Sequence, residues 1–548
     1  MRIFILFNIF STCCASNILL MFPMSAKSHV NSFVPLFKKL SDNGHNITMV
    51  TSFVPKAQIP NCTFIMVKNI MEDYLNDSHV QNSVQVFREL KPFSIWPVVW
   101  NIHLEIIEKL FEEDCLRELL SGNFSFDVMI SETLYLFEIF VAFGHIFNVP
   151  VISIDAHPLS AWSSYLTGNV HPYSYVPNFR LPITDQMTFL ERLQNTLLNL
   201  EEMLGSYLYY MPMQEELIRK YLDYQKYDFP PLLDMLQNIS LTLVDSHFSL
   251  GYVRPYLPHT VEVGGLTYNE GDELTEELKD YLDKSENGFI YFSFGSIINI
   301  KSIPKEMLDV FLATFPLLEQ NVVMKWEDEE FPNKPDNVKA MPWLPQNRIL
   351  AHPNCRLFIS HGGFHGMTEA IYHKVPLVII PLFSDQYYNA IFAQKEGFAY
   401  VLSNFNMTTE MLLEAINTAM DNPEFKKNLD KRSFILKDKD QNSVDKAVYW
   451  VEYVLRHKGA KHLRPACLNL NLFQYFLLDV IFVIILFILI CICLLVLIVQ
   501  SIGNILKSIS ELNVYNSTPS PIKIEDVQLC LVRKERKLKK RKARKSMK

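Results

Sequence analysis

Residues whose types suit ligand chemistry are concentrated between positions 343 and 386. Three groups follow one another there: Trp343-Leu-Pro-Gln346, His361-Gly-Gly-Phe-His-Gly-Met-Thr-Glu369 and Asp385-Gln386. The last two groups each come after a short apolar run, which predicts a buried parallel strand whose carboxyl end opens into a polar loop. Ligands bind at that edge of open α/β sheets, so this stretch predicts a binding site.

The residue types in this stretch match the parts of a nucleotide diphosphate sugar. Two glycines after His361 permit a tight turn, and the helix that starts there presents an N-terminus that binds anions. Trp343 offers a flat face for a pyrimidine, while Glu369 can accept hydrogen bonds from ribose hydroxyls. Asp385 and Gln386 supply the acceptors and donors that sugar hydroxyls need. A single Trp or a Gly-Gly pair is usually structural, but their combination in this order predicts a cradle for a nucleotide sugar.

The stretch from Trp343 to Gln386 resembles the donor-binding signature of the membrane-bound UDP-glycosyltransferases of animals, and the resemblance extends over residues 17–500. Further matching stretches are Ala26-Lys-Ser-His29, Asp185-Gln-Met-Thr-Phe-Leu, Val263-Gly-Gly-Leu266, Phe294-Gly-Ser296 and residues 444–459. The resemblance implies an α/β protein of the GT-B type, in which two Rossmann-like doubly wound domains face each other across a cleft. It also implies inverting transfer of a hexose from a UDP-sugar to a hydroxyl of a small lipophilic acceptor, with no cofactor besides the UDP-sugar.

The family resemblance also assigns roles to single residues. It implies that Gln346 and Glu369 bind the ribose and Trp343 the uracil, and that the sugar contacts Asp385 and Gln386. The residues expected around the diphosphate are Ser296, His361, Gly363, His365 and Gly366. Of these, His365 stands where many relatives have Asn. The helix dipole and hydrogen bonds can take the place of a metal ion there, so no metal site is predicted.

Transfer to a hydroxyl group needs a general base, and His29 is the candidate. It follows the first predicted strand at the start of a helix, and an imidazole titrates near neutral pH. A lone histidine is more often structural, but His29 matches the catalytic base of the family. The family pairs that base with an acidic residue, for which Glu132 stands after a predicted strand at residues 126–130. Asp127, at the beginning of that strand, is the alternative.

The ends of the chain predict a membrane anchor. Residues 1–16 have the pattern of a secretory signal, with a first core strand as the alternative. Residues 480–499 carry no charge over the length that crosses a bilayer, which predicts a transmembrane helix rather than a buried core helix. Residues 533–548 carry eleven Lys or Arg against one Glu, and this places the tail in the cytosol. We predict a single-pass type I protein of the endoplasmic reticulum with a luminal catalytic part. Ser546 departs from the usual retrieval signal, so other secretory membranes remain open.

A chain of 548 residues is long enough for about two domains. The predicted organisation is a signal peptide at 1–16, an N-terminal acceptor-binding domain at 17–266, a connection at 267–287, a C-terminal UDP-sugar-binding domain at 288–460, a juxtamembrane segment at 461–479, the transmembrane helix at 480–499 and a basic cytosolic tail at 500–548.

Charge and cysteine content narrow the function classes. The net charge of −8 consists of +10 from residues 533–548 and −18 from the remainder. The acidic body argues against nucleic acid as a partner, and the basic tail either contacts the anionic lipid bilayer or only sets orientation. The four cysteines of the predicted luminal part are too scattered for a disulfide framework or a metal site. They are Cys62, Cys115, Cys355 and Cys467. Glycosylation triplets begin at Asn46, Asn61, Asn76, Asn123, Asn238 and Asn406.

The sequence indicates the type of reaction more clearly than it indicates the substrates. Residues 70–120 and 185–235 read as helices rich in aromatics, which predicts either packed helices or an apolar acceptor pocket. UDP-glucose is favoured over UDP-glucuronate because the signature places no clear cation for a carboxylate, although Arg254 is a candidate. The alternatives to a broad detoxifying transferase are a dedicated lipid or steroid transferase and a non-catalytic, membrane-anchored binding protein on the same fold. The sequence leaves a homo- or hetero-oligomer open.

Overall fold

The structure of this protein is a computed structural model. It describes residues 15–24, 26–70, 90–268, 273–295, 298, 300, 303–326, 331, 333–403, 405–516 and 524–545. The predicted signal up to residue 14, the diphosphate candidate Ser296, the glycosylation triplet at Asn76 and residues 269–272 of the predicted connection lie outside the described residues. The chain divides into two compact units, residues 1–468 and 469–548.

The first domain is built on a parallel sheet of seven strands in the order β3-β2-β1-β4-β5-β6-β7. The strands are β1 Asn17–Phe22, β2 Asn46–Thr51, β3 Cys62–Met66, β4 Val128–Ser131, β5 Val151–Asp155, β6 Leu241–Val244 and β7 Thr260–Glu262. β1 is apolar and buried along nearly its whole length, as expected for a parallel strand with helices on both faces. The helices are α1 Lys27–Asp42, α2 Pro92–Phe111, α3 Asp114–Ser121, α4 Val141–Ile146, α5 Ala161–Thr167, α6 Phe189–Gly205, α7 Met211–Tyr221, α8 Tyr224–Tyr227 and α9 Leu232–Leu236.

The second domain is built on a parallel sheet of six strands in the order β10-β9-β8-β11-β12-β13. The strands are β8 Phe289–Ser293, β9 Asn321–Lys325, β10 Val338–Met341, β11 Cys355–Ser360, β12 Leu377–Ile379 and β13 Ala399–Val401. The helices are α10 Glu276–Asp283, α11 Lys305–Thr314, α12 Gln346–Leu350, α13 Phe364–His373, α14 Gln386–Lys395, α15 Thr409–Asp421 and α16 Pro423–Lys437. The two parallel sheets confirm the predicted pair of doubly wound domains. In each sheet the strand order reverses beside the first strand, where α/β proteins bind ligands.

The chain returns to the first domain after α16. Helix α17, Ser443–Arg456, packs against α1, and its Val448 and Val451 belong to the core of the first sheet. The predicted second domain, residues 288–460, therefore gives its last helix to the first core. The apolar stripe of an amphipathic helix shows that one face is buried but not which sheet covers it.

Residues 469–548 form helices α18 Leu472–Tyr475, α19 Leu478–Asn516 and α20 Ile524–Lys545. The part of α19 from Leu478 to Val514 is long and apolar enough to cross a membrane. This helix extends well beyond the predicted span of 480–499, because polar residues such as Gln500 and Asn504 continue the helical geometry after the apolar run ends.

One buried cation ties several elements of the first domain together. The side chain of Arg180 is fully buried and forms an ion pair with Glu201 at 2.7 Å. Its guanidinium also donates to the carbonyl oxygens of Pro92 at 3.1 Å and Leu198 at 2.7 Å. One side chain thus links the loop at Arg180 to α2 and α6, and its loss leaves the Glu201 carboxylate without this partner.

We expect Arg180→Ala to lower the free energy of unfolding by about 3–5 kcal/mol, since it leaves the Glu201 carboxylate without its buried partner. Thermal unfolding of the detergent-solubilised chain measures this as a lower melting temperature. Arg117→Ala is the matched control, because Arg117 pairs with Asp114 on the surface, and such pairs contribute about 0–1 kcal/mol. An equal loss in both variants would show that the buried network does not stabilise the domain.

Candidate functional site

The predicted base and its predicted acidic partner are in contact. His29 lies in the first turn of α1, which follows β1, and Glu132 comes directly after β4, the neighbour of β1. The His29 Nδ1 atom lies 2.8 Å from Glu132 Oε1, and Glu132 is almost fully buried. An ionised carboxylate only accepts hydrogen bonds, so the tautomer that fits this contact has its proton on Nδ1 and a lone pair on Nε2.

The alternative carboxylate lies at the opposite edge of the sheet. Asp127 precedes β4, and its Oδ2 atom accepts a hydrogen bond of 2.7 Å from the backbone N–H of Asn17, the first residue of β1. A carboxylate at the amino ends of the strands cannot reach the imidazole at their carboxyl ends. The geometry thus brings together His29 and Glu132 and separates them from Asp127.

The two residues expected at the ribose are bonded to each other. The Gln346 side-chain amide donates to the Glu369 carboxylate, and the hydroxyl of Tyr291 donates to Gln346 Oε1 at 3.2 Å. Gly366 lies against Gln346, since a Cβ atom at this glycine would be 3.6 Å from Gln346 Nε2. Burial raises the pKa of the Glu369 carboxyl above its usual value. These residues form one cluster of acceptors and donors beside the end of β8.

Trp343 is partly exposed at the same edge. It follows β10, and 43% of its surface is exposed. The ammonium of Lys56, from the first domain, lies 4.6 Å from the centre of its ring. A partly exposed indole is able to stack on a planar base, and the lysine brings positive charge close to it.

His361 is held between two glycines. A Cβ atom at Gly363 would lie 2.5 Å from His361 Nε2, and one at Gly295 would lie 2.9 Å from its Cε1 atom. Burial, with a smaller contribution from the charge of Lys325, lowers the pKa of His361 to about 4. The imidazole is therefore neutral near pH 7. Gly363 is also the residue before α13, a ten-residue helix whose N-terminal N–H groups face the same region.

The two residues expected at the sugar begin α14. Asp385 is the N-cap residue, and its carboxylate accepts a hydrogen bond of 2.7 Å from Asn389. Burial raises the pKa of the Asp385 carboxyl. The Gln386 side-chain oxygen accepts from the backbone N–H groups of Leu382 and Phe383 at 2.8 and 3.1 Å. Its NH₂ group is consequently the part that remains for a ligand.

A cavity lies between the two domains beside these groups. Most of the exposed surface of its walls is apolar, although about half of the lining residues carry polar side chains. Its lining includes Tyr135, His157, Leu159, His171 and Phe179 from the first domain and Phe364, Asp385 and Tyr388 from the second. A largely apolar wall with a set of placed polar groups is typical of sites for small organic molecules.

The sequence predicted either packed helices or an acceptor pocket for the two aromatic regions, and two of their tryptophans lie behind the cavity wall. Trp96 and Trp100 are buried and stack on each other, with ring centres 5.7 Å apart. Trp96 also contacts Tyr135 and Phe179, which line the cavity. In the described part of these regions the two tryptophans are packing residues, while Asn199 of α6 lines the cavity. Residues 71–89 of the predicted helices lie outside the described residues.

Three site residues were missed from the sequence. Asp155 is the last residue of β5, His157 follows it, and Asp245 follows β6. The ring of His157 lies edge-on to that of His29, with 4.7 Å between centres. Burial, followed by the charge of Glu132, raises the pKa of Asp155, and burial lowers that of His157. The sequence could have indicated these residues. Polar residues that end or follow β5 and β6 meet at the same edge of the sheet as those that follow β1 and β4.

Residues 17–510 match the model of the family described as UDP-glucoronosyl and UDP-glucosyl transferase. The chain belongs to this family. The transferase is 34% identical over 474 residues to a UDP-glycosyltransferase of Dactylopius coccus, which covers 86% of this chain and 89% of that relative. It is 30% identical over 482 residues to UDP-glucuronosyltransferase 2B7 of Homo sapiens, with 83% and 87% of the two chains covered.

Solved structures support the architecture of the enzyme. The crystal structure of UDP-glucose: anthocyanidin 3-O-glucosyltransferase in complex with UDP has a TM-score of 0.52 and 14% identity, and the match covers 80% of this chain and 99% of that one. At this identity the likeness shows the GT-B fold alone. The family membership and the fold thus confirm the predicted UDP-glycosyltransferase.

The turn after His361 gives a test of the site's geometry. Gly362 has a φ of +85°, and a Cβ atom there would lie 2.7 Å from Ile379 Cγ2. We expect Gly362→Ala to add about 1–3 kcal/mol of strain and to displace the start of α13, so that UDP binding weakens at least tenfold. Calorimetric titration with UDP measures this. Gly251→Ala is the control, since nothing lies within 4 Å of its Cβ position. Unchanged UDP affinity in Gly362→Ala would show that this turn does not shape the site.

Proposed function

We propose that the chain transfers a hexose, favouring UDP-glucose over UDP-glucuronate as donor, to a hydroxyl of a small lipophilic acceptor with inversion at the anomeric carbon. The observation that carries this proposal is the 2.8 Å contact between His29 and Glu132 beside an interdomain cavity that also contains Asp385. Family membership supports the reaction type. The pairing of His29 with Glu132 supports the catalytic roles.

The proposed step has one nucleophile, one base and one leaving group. His29 Nε2 takes the proton of the acceptor hydroxyl as its oxygen attacks the anomeric carbon. The bond from that carbon to the diphosphate oxygen breaks, and UDP leaves with the electron pair. Glu132 holds the imidazole in position and stabilises the imidazolium that forms. Attack from the face opposite UDP converts an α-linked donor into a β-glycoside.

The departing diphosphate gains negative charge at the oxygen that it retains. The backbone N–H groups at the start of α13, together with His361, Gly363, His365 and Gly366, are the groups proposed to surround it. A helix N-terminus stabilises such charge through its oriented dipoles. Trp343 is proposed to stack on the uracil, Gln346 and Glu369 to bind the ribose, and Asp385 and Gln386 to bind the sugar.

The donor preference rests on the surroundings of Arg254. This guanidinium lines the cavity, but it already donates to the carbonyl of Leu159 at 2.9 Å and to the hydroxyl of Tyr388 at 3.2 Å. A glucuronate carboxylate would have to compete with these partners and would lie near the acidic Asp385. An uncharged glucosyl group meets neither obstacle. The two relatives include a UDP-glucuronosyltransferase by name, which makes UDP-glucuronate the donor to test beside UDP-glucose.

The experiment is UDP release by membranes that contain the full chain, with UDP-glucose, UDP-glucuronate and UDP-galactose each offered beside a panel of phenols and steroids. We expect acceptor-dependent release with UDP-glucose. His29→Ala should lower transfer by about 10²–10⁴-fold and leave UDP binding unchanged. Glu132→Gln should also lower transfer, while its matched control Asp127→Asn should not. Full turnover in His29→Ala would remove this histidine from the mechanism, and UDP binding without release in the wild type would favour a binding protein.

We further propose that the enzyme is a single-pass type I protein of the endoplasmic reticulum membrane with its two domains in the lumen. The apolar helix Leu478–Val514 and the basic α20 support this orientation. Five of the six predicted glycosylation asparagines lie exposed in the first unit, namely Asn46, Asn61, Asn123, Asn238 and Asn406.

Protease treatment of sealed microsomes tests this topology. We expect added protease to remove only the C-terminal tail, and endoglycosidase treatment to lower the apparent mass of the protected fragment. Digestion of the two domains in intact vesicles would show the opposite orientation. Lysis with detergent is the control, because it should expose the whole chain.

A further inference from the structure

An interdomain ion pair stands at the place proposed for the diphosphate. Asp245 follows β6 in the first domain, and His365 lies in the first turn of α13 in the second. The Oδ2 atom of Asp245 lies 3.3 Å from Nε2 of His365, and the two side chains are 8% and 24% exposed. The pair therefore joins the domains inside the cleft rather than on the surface.

The aspartate is fixed by the first domain. Its other oxygen, Oδ1, lies 3.3 Å from the backbone N–H of Gly265, which donates to it. Its own backbone N–H donates to the carbonyl of Asp155 at 2.8 Å. Because both ends of this residue are held, Oδ2 is presented to the second domain in a set position.

Most of the charged groups that face His365 are acidic. Glu369, one turn further along α13, and Asp385, at the start of α14, act on the imidazole together with Asp245. The rings of His29 and His157 lie 6.3 and 6.4 Å from it, on the side of α1 and β5. Lys439 lies on the far side of Asp245 and is influenced by its charge.

These carboxyls change the protonation of the imidazole. Burial alone would lower the pKa of His365. The contact and charge of Asp245 outweigh burial, with Glu369 and Asp385 acting in the same direction, so the pKa is raised above its ordinary value. An imidazolium has two N–H donors, and Asp245 faces one of them. The other N–H is left for a ligand.

We propose that Asp245 is a positioning residue for the donor: it holds His365 as a cation at the start of α13, where the diphosphate binds. The inference rests on the proposed function. The region contains Asp245, Glu369 and Asp385, so a diphosphate entering it meets several carboxyls. A charged His365 offsets this repulsion and adds a charge-assisted hydrogen bond to those of the helix N-terminus.

The pairing makes donor affinity depend on pH. Below the pKa of His365 the imidazole is charged and the donor binds at full strength. Affinity falls as the pH rises through that pKa, because the proton is lost. Removing the Asp245 charge lowers the pKa of His365, and the fall must then occur at lower pH.

The test is the affinity of the solubilised full chain for UDP-glucose between pH 5.5 and 8.5, measured by calorimetric titration. UDP-glucose is the probe because its diphosphate diester stays ionised over this range, whereas the terminal phosphate of UDP titrates within it. For the wild type we expect an affinity loss of about tenfold across His365 titration, the scale of one charge-assisted hydrogen bond. Asp245→Asn should shift the midpoint to lower pH, Asp245→Glu should restore it in part, and His365→Asn should give a flat profile.

Asp185→Asn is the matched control, because Asp185 pairs with Lys395 across the same two domains but away from His365. Its profile should equal that of the wild type. A profile for Asp245→Asn that coincides with the wild type overturns the inference, and so does tighter binding at every pH, which would make Asp245 a competitor of the diphosphate. Absence of UDP-glucose binding in all variants at all pH values would overturn the proposed function and the inference with it.

Discussion

In a parallel sheet all strands end at the same edge, and every group of the site described above depends on this constraint. His29 and Glu132 are 103 positions apart in sequence, yet they touch because β1 and β4 are neighbours and both end there. The same rule brings Asp155 and Asp245 to the edge of the first sheet, and His361, Trp343 and Asp385 to that of the second. Many polar and titratable side chains lie in the cleft because two such edges face one another.

Burial at this edge decides the electrostatics. Carboxyl groups collect there, and removal from water raises the pKa of Asp155, Glu369 and Asp385. Burial has the opposite effect on imidazoles and keeps His157 and His361 neutral. His365 departs from that pattern because an aspartate from the other domain lies against it. On the proposed function, a diphosphate that binds among these acids would rely on helix N–H groups and on a cation whose charge is maintained by its neighbours.

The sequence predicted the parts of this arrangement that depend on local pattern. Apolar runs ended by polar residues located β1, β4, β11 and β12, and with them His29, Glu132, His361 and Asp385. The family resemblance implied that Gln346 and Glu369 both bind the ribose. It did not predict that they contact each other, because this contact depends on the packing of α12 against α13. Asp245 and His365 could not be paired from the sequence, because their distance is set by how one domain docks on the other. The sequence also did not predict that α17 packs on the first domain, because this too depends on how the parts of the chain dock on one another.

The return of the chain at α17 limits how the cleft can open. The outgoing connection passes through Gly264, and the carbonyl oxygen of this glycine accepts hydrogen bonds from Lys439 Nζ at 2.7 Å and Ser443 Oγ at 2.8 Å, on the returning connection. The outgoing and the returning connection are thus joined by hydrogen bonds to one carbonyl oxygen. Further contacts join the two domains across the cleft, such as Asp245 with His365 and Asp185 with Lys395. An opening of the cleft that breaks those contacts and keeps the hydrogen bonds at Gly264 would move residues less the closer they lie to this glycine.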